Sequence, residues 1–353
     1  MKIFRNALYR RHDARLEMYR GRLVPCHETP ARLDHVLAEL ARRPVGALRD
    51  PVPDDAGLDA ALAAIHAPRY LDFLAGAWDE WVALDPANAG TDILPAVWPV
   101  RGFRADVLPE SFAARIGLFS FDAGSPVMAG TWAAAREGAA CARSAALAVA
   151  AAAAERAAFA LTRPPGHHAG PDFFGGYCFL NNAALAAQTL RDHGAARVAV
   201  LDVDYHHGNG TQTIFYGRDD VLTVSLHGDP RTEYPFFLGH ADERGEGAGL
   251  GANLNLPLPR GTSATTWFAA LEAGLAAVAA HRAEALVVAL GVDTFDGDPI
   301  SGFHLRADDY LRLGERLARA GLPVVLTMEG GYAVAEVGVN VVNVLEGFMA
   351  AAG

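Results

Sequence analysis

The chain has 353 residues, 51% of them hydrophobic and 20% charged, enough apolar matter for a sizeable core and incompatible with global disorder. Lys and Arg number 30 against 41 Asp and Glu, a formal net charge of −11, so neither a nucleic-acid partner nor an anionic membrane surface is expected. Cys26, Cys141 and Cys178 are odd in number and form no CxxC pair, which removes a disulfide framework and a thiolate zinc site. In chain order, the N-terminal MKIFRNALYRRHDARLEMYR lacks the apolar run of a signal peptide, so a cytoplasmic location is expected. From about 85 to 127 the sequence is proline-rich and aperiodic, with Trp98, Phe103, Phe112, Phe119 and Phe121. A loop that long and aromatic reads as functional or as an interface. Alanine-rich 131–156 reads as one long helix; its blandest run is about half the length of a membrane span. Strands are then predicted at 158–161, 197–201, 221–226, 285–290 and 323–327, separated by helical patterns at 182–193, 266–281 and 308–320. Strands apolar on both faces, alternating with helices, predict a single open α/β domain over 1–353. Its central, mostly parallel sheet should carry helices on both faces.

In such sheets ligands bind beyond the carboxyl ends of the strands. Each of the five strands is followed by proton-active residues: Arg163-Pro-Pro-Gly-His167-His168, Asp202-Val-Asp204-Tyr-His206-His207-Gly-Asn209, His227-Gly-Asp229, Asp293-Thr-Phe-Asp296-Gly-Asp298, and Glu329-Gly330-Gly331-Tyr332. Asp204 and His206 are two apart and so share a face of an extended segment. With Asp293 they make an N/O donor set with an open position, as in a catalytic zinc site; a hydrogen-bonded turn after the strand is the blander alternative. His167 and His168 on a Pro/Gly-stiffened turn suit proton transfer. Asp202 suits a carboxylate that fixes a ring tautomer, and the Tyr332 phenol suits an oxyanion donor. The glycine run 245–251 fails the GxGxxG spacing at Leu250, and no GxSxG or GxxxxGK[ST] motif occurs.

These segments, in this order over roughly 158–335, resemble the histone deacetylase superfamily. The resemblance implies Asp204, His206 and Asp293 as ligands of one zinc ion, His168 as general base and acid, and Tyr332 as transition-state donor. It also implies His167 paired with Asp202, and Asn209 where some members carry the Asp partner of His168. Asp202, Asp204, His206, Ser225 and Leu226 match the superfamily's monovalent-cation site, with structural potassium as the implied ion. Tyr177 and Tyr234 fall at aromatic walls of its substrate tunnel, and Gly330 at a substrate-contacting position. Arg15-Leu-Glu17-Met-Tyr-Arg, Val97-Trp-Pro-Val-Arg and Phe112-Ala-Ala-Arg further resemble the bacterial acetylpolyamine amidohydrolase branch. In that branch the 85–127 loop builds a homodimer and narrows the entrance, which implies acidic contacts at Glu17 and Glu110. The implied activity is hydrolysis of small cationic acetylamides such as acetylated polyamines; deacetylation of acetyl-lysine in proteins is the alternative.

Overall fold

The computed structural model describes residues 1–151 and 156–352. In chain order its strands are β1 (Lys2–Arg5), β2 (Leu16–Tyr19), β3 (Arg22–Pro25), β4 (Ala47–Arg49), β5 (Ala157–Leu161), β6 (Val198–Asp202), β7 (Val221–Gly228), β8 (Asn253–Leu258), β9 (Ala285–Leu290) and β10 (Val324–Met328). Among them β2 and β3 form an antiparallel hairpin. The other eight make one sheet in the order β4-β1-β5-β10-β9-β6-β7-β8, every pair parallel. β5, β6, β7, β9 and β10 are buried along their whole length. Burial on both faces is why they read as unbroken apolar runs, and the predicted limits differ from the observed ones by no more than about two residues. Three sheet strands escaped the sequence reading. β4 and β8 lie at the edges, where the sequence loses its uniform apolarity, and β1, beside β4, is four residues long with only Ile3 and Phe4 buried between Lys2 and Arg5.

Helices α1 (Ala31–Arg42), α2 (Asp55–Ala63), α3 (Pro68–Leu84), α4 (Phe112–Leu118), α5 (Thr131–Ala151), α6 (Asn182–Asp192), α7 (Asn209–Phe215), α8 (Ala264–Ala280), α9 (Ala307–Arg319) and α10 (Val334–Ala352) cover the sheet. Two apolar clusters result, one on each face. α5 has small buried residues (Ala134, Ala142, Ala145) that let it approach β1 and β5 closely; the end of the expected helix, 152–155, lies outside the described residues. α10 is apolar and long enough to cross a membrane, yet Val337, Val341, Leu345 and Phe348 are buried where it packs against α1 and α9.

The 85–127 stretch is not a plain loop. Ile93 bridges Val127, and Ile93, Phe112, Ile116, Phe119 and Val127 enter the core, with Phe119 4.9 Å from the Phe73 ring and Phe112 5.7 Å from Trp81. Its first residues, 85–91, lie largely at the surface, and in its middle Val97, Val100, Phe103, Val107 and Leu108 are exposed.

Candidate active site

Register aligns the strand ends. Asp202 stands opposite both Ser225 and Ala289, Met328 opposite Leu290, and Thr327 opposite Ala160. The segments that follow therefore emerge at one edge, where the polar clusters meet.

The turn after β5 is pinned from several sides. Arg163, fully buried, donates from Nε to Glu28 Oε1 at 2.8 Å, and the same oxygen accepts from Arg32 Nη1 at 2.8 Å. The Glu329 carboxylate accepts the N–H groups of Gly166 (2.6 Å) and His167 (3.1 Å). His66, given no role from sequence, also holds the segment: its Nε2 accepts from Asn181 N–H at 3.1 Å, so Nδ1–H donates to the Gly170 carbonyl at 2.7 Å. Both bonds need a neutral ring, and burial depresses its pKa to about 4. The folded value lies below the unfolded one of about 6.5, so the contribution is complete above pH 6.5 and is lost as pH falls towards 4. We expect the melting temperature to drop through that window, by up to about 3 kcal/mol of stability from this ring. His66→Gln should flatten that part of a melting-temperature profile against pH; an unchanged slope would refute the assignment.

His167 and His168 lie with ring centroids 4.0 Å apart, yet their environments separate them. His167 Nδ1 meets Asp202 Oδ2 at 2.8 Å; burial opposes its charge, but Asp202 and Asp204 outweigh it and raise the pKa to about 10. His168 is held well below the usual range by burial and by the neighbouring His167 and His206. Its Nδ1 lies 2.6 Å from Asn209 Oδ1, an acceptor, which leaves the Nε2 lone pair free. His168 lines the cleft, packed so closely on Gly176 that a Cβ there would come within 2.2 Å of the ring. One ring is charged and the other is a neutral base.

Asp204, His206 and Asp293 are buried and bring ligand atoms within 4.8 Å of one another. His206 Nδ1 lies 3.0 Å from Asp293 Oδ2 and 3.3 Å from Asp204 Oδ1, while Gly330 N–H and Tyr205 N–H donate to the outer oxygens of Asp204 and Asp293, both at 2.8 Å. Burial and the charge of Asp204 push Asp293 up to about 8; against burial, the two carboxylates push His206 up to about 10. Such a cluster calls for positive charge at its centre, and two carboxylates with an imidazole are the donor set a zinc ion takes. These residues fit the metal. A second group, His167, Cys178 and Glu329, has the same closeness. There, however, Glu329 already accepts Gly166 N–H, His167 N–H and the Thr327 hydroxyl, and His167 Nδ1 is engaged with Asp202.

Tyr332 is buried at the cleft wall, its ring 5.5 Å from that of Tyr177 and capped by the Arg32 guanidinium at 4.9 Å. Burial raises its pKa well above the ordinary value, so it remains an O–H donor. The cleft, about 290 Å³, is lined by His168, His206 and Tyr332, by Tyr177, Tyr234 and Phe236, and by the carboxylate residues Asp122 and Glu233. The hairpin adds Met18, Tyr19 and Arg20.

Three implied substrate contacts are placed elsewhere. Glu17 is 1% exposed and accepts the Tyr177 hydroxyl at 2.9 Å behind the wall, where burial raises its pKa to about 7. Glu110 sits on the exposed segment before α4, away from this chain's cleft. Gly330 lies beneath the cleft floor, and a Cβ there would stand 2.6 Å from oxygens of both Asp204 and Asp293. Of the 85–127 stretch only Asp122, Ala123 and Gly124 reach the cleft. The sequence reading missed Asp122 and Glu233. The first accepts the Tyr234 hydroxyl at 2.6 Å and Gly176 N–H at 2.8 Å, and the second faces Arg260 at 3.3 Å. Glu233 adjoins the singled-out Tyr234, which was the available signal.

Known proteins resemble the chain along its whole length. The histone deacetylase domain matches residues 26–348. Acetylpolyamine amidohydrolase 1 of Pseudomonas aeruginosa is 52% identical over 345 residues, 98% of this chain and 97% of its own. The acetylpolyamine amidohydrolase of Mycoplana ramosa is 46% identical over 347 residues, 98% and 99% of the two chains. The crystal structure of acetylpolyamine aminohydrolase from Burkholderia pseudomallei superposes with a TM-score of 0.93 at 40% identity, covering 100% of each chain. With the domain matched over most of its length and relatives aligned end to end, the chain belongs to the histone deacetylase family.

Proposed function

We propose that the protein hydrolyses the amide bond of small cationic acetylamides, acetylated polyamines above all, with zinc held by Asp204, His206 and Asp293. The observation that carries this reading is an aromatic cleft bearing two carboxylates, Asp122 and Glu233, that opens onto His168, His206 and Tyr332. Carboxylates and aromatic faces are the groups that attract an ammonium. The names of the whole-length relatives support the same substrate class.

Zinc bound there supplies a Lewis acid for the acetyl carbonyl and acidifies water. The protein's own part is proton handling and positioning. His168 Nε2 takes a proton from the attacking water and returns it to the leaving amine, giving acetate and the free amine. The Tyr332 hydroxyl donates to the oxygen on which negative charge develops. Cationic His167, held by Asp202, adds a fixed positive field beside it. A structural potassium ion is proposed at Asp202, Asp204, His206, Ser225 and Leu226, supported by the register that sets Asp202 against Ser225. The exposed apolar strip at Val97, Val100 and Phe103 supports a homodimer contact.

The test is turnover by zinc-loaded enzyme on N-acetylputrescine and on an acetyl-lysine peptide. We expect kcat/KM to favour the polyamine by on the order of tenfold or more. Glu233→Gln should erode that preference through KM. Equal rates, or a preference for the peptide, would replace this reading with protein deacetylation. The same assay on Phe103→Asp, with sedimentation velocity, tests the dimer contact: an unchanged association state would exclude that strip.

A further inference from the structure

We propose that Asp298 is a positioning residue for Tyr332, tying the tyrosine's loop to the loop that carries Asp293; this rests on the reading of Tyr332 as the oxyanion donor. Asp298 closes the Asp293-Thr-Phe-Asp-Gly-Asp segment, yet it touches neither the donor set nor the cleft. It is 8% exposed, and three backbone donors converge on its carboxylate. Oδ2 accepts Tyr332 N–H at 2.7 Å and Ala333 N–H at 3.1 Å, while Oδ1 accepts Ile300 N–H at 3.1 Å. Its own N–H donates to the Phe295 carbonyl at 3.1 Å, which fixes the carboxylate within its turn.

The need for such an anchor follows from the residues before the tyrosine. Gly330 and Gly331, the latter at φ +133°, confer backbone freedom on the approach to Tyr332. Gly330 must be glycine, because any Cβ would strike the two carboxylates. The freedom is therefore obligatory at the floor of the site, and a phenol that hangs from it needs fixing from outside. Asp298 does this at the tyrosine's own N–H. Through Oδ1 it also holds Ile300, a residue of the cleft wall, so one side chain sets both the donor and the wall against the strand end that delivers Asp293.

Asp298→Asn keeps the shape and removes the capacity to accept on both sides, since one oxygen becomes a donor facing an N–H. We expect kcat on N-acetylputrescine to fall by about 10- to 100-fold, because displacement of a reacting group by about 1 Å costs that much. KM should change by less than about twofold, and zinc should remain at one per chain. A merely structural role would not produce the decisive result, which is the double-mutant cycle with Tyr332→Phe. If Asp298 acts through the phenol, Asp298→Asn should cost less than about twofold once the hydroxyl is absent. An equal loss in both backgrounds, a loss of zinc, or a change confined to KM would overturn the inference while leaving Tyr332's role intact. Wild-type turnover by Tyr332→Phe alone would instead overturn the reading on which it rests. Should Asp298→Asn fail to fold, Asp298→Ser enters the same cycle with the same outcomes.

Discussion

Tyr332→Phe is expected to lower kcat by roughly 10²- to 10³-fold while zinc content and KM stay near wild type, the cost of removing one oxyanion donor. The substitution deletes only the hydroxyl. The ring keeps its edge contact with Tyr177 and its place under Arg32, so the cleft wall and the fold should survive. Because the lost bond forms chiefly in the transition state, kcat and kcat/KM should fall together. Steady-state kinetics on N-acetylputrescine with metal analysis of the same sample decide the matter. Turnover within about threefold of wild type, at full zinc content, would remove Tyr332 from the mechanism.

Asp204→Ala should be still more severe, with zinc largely lost and turnover down by on the order of 10³-fold or more. Asp204 is tied into the site beyond its role as a donor: its oxygens accept N–H groups from His206 at 2.9 Å and Gly330 at 2.8 Å, besides facing the His206 ring. Removal leaves those two donors without their acceptor, at a cost of about 1–3 kcal/mol each. It also relieves the repulsion that raises Asp293. Stability should therefore fall less than activity does. Metal analysis and a thermal melt on one preparation separate the two effects, and full zinc occupancy in the variant would show that Asp204 is not a ligand.

The sequence showed most clearly what the sheet buries on both sides. β5, β6, β7, β9 and β10 were legible because each is an apolar run with a polar cluster at its end, and those clusters carried His167, His168, Asp202, Asp204, His206, Asp293 and Tyr332. β1, β4 and β8 were not, since strands at or near an edge need no continuous apolar run. α7 begins Asn-Gly-Thr, weak helix formers that gave no helical pattern, and Asn209, Gly210, Thr211, Gln212 and Phe215 are buried in it. Asp122 and Glu233 lie 111 residues apart and meet only because their segments fold over the same cleft, a relation no local pattern encodes. Glu17 marks the opposite difficulty. Its position suggested a substrate contact, but burial behind Tyr177 makes it a support for the wall. Asp298 stood inside a recognised segment with no chemistry assigned, because its partners are backbone N–H groups that have no signature in sequence.

The place of β10 in the sheet bears on synthesis. The last strand in sequence lies between β5 and β9, so a nascent chain that has emerged only as far as α9 holds two half-sheets with facing open edges. Those edges are apolar on both faces, the kind of surface that pairs with the wrong partner. Closure of the gap joins the halves and at the same stroke brings Tyr332 to the donor set. Demand for chaperones should therefore peak in the interval before β10 leaves the ribosome.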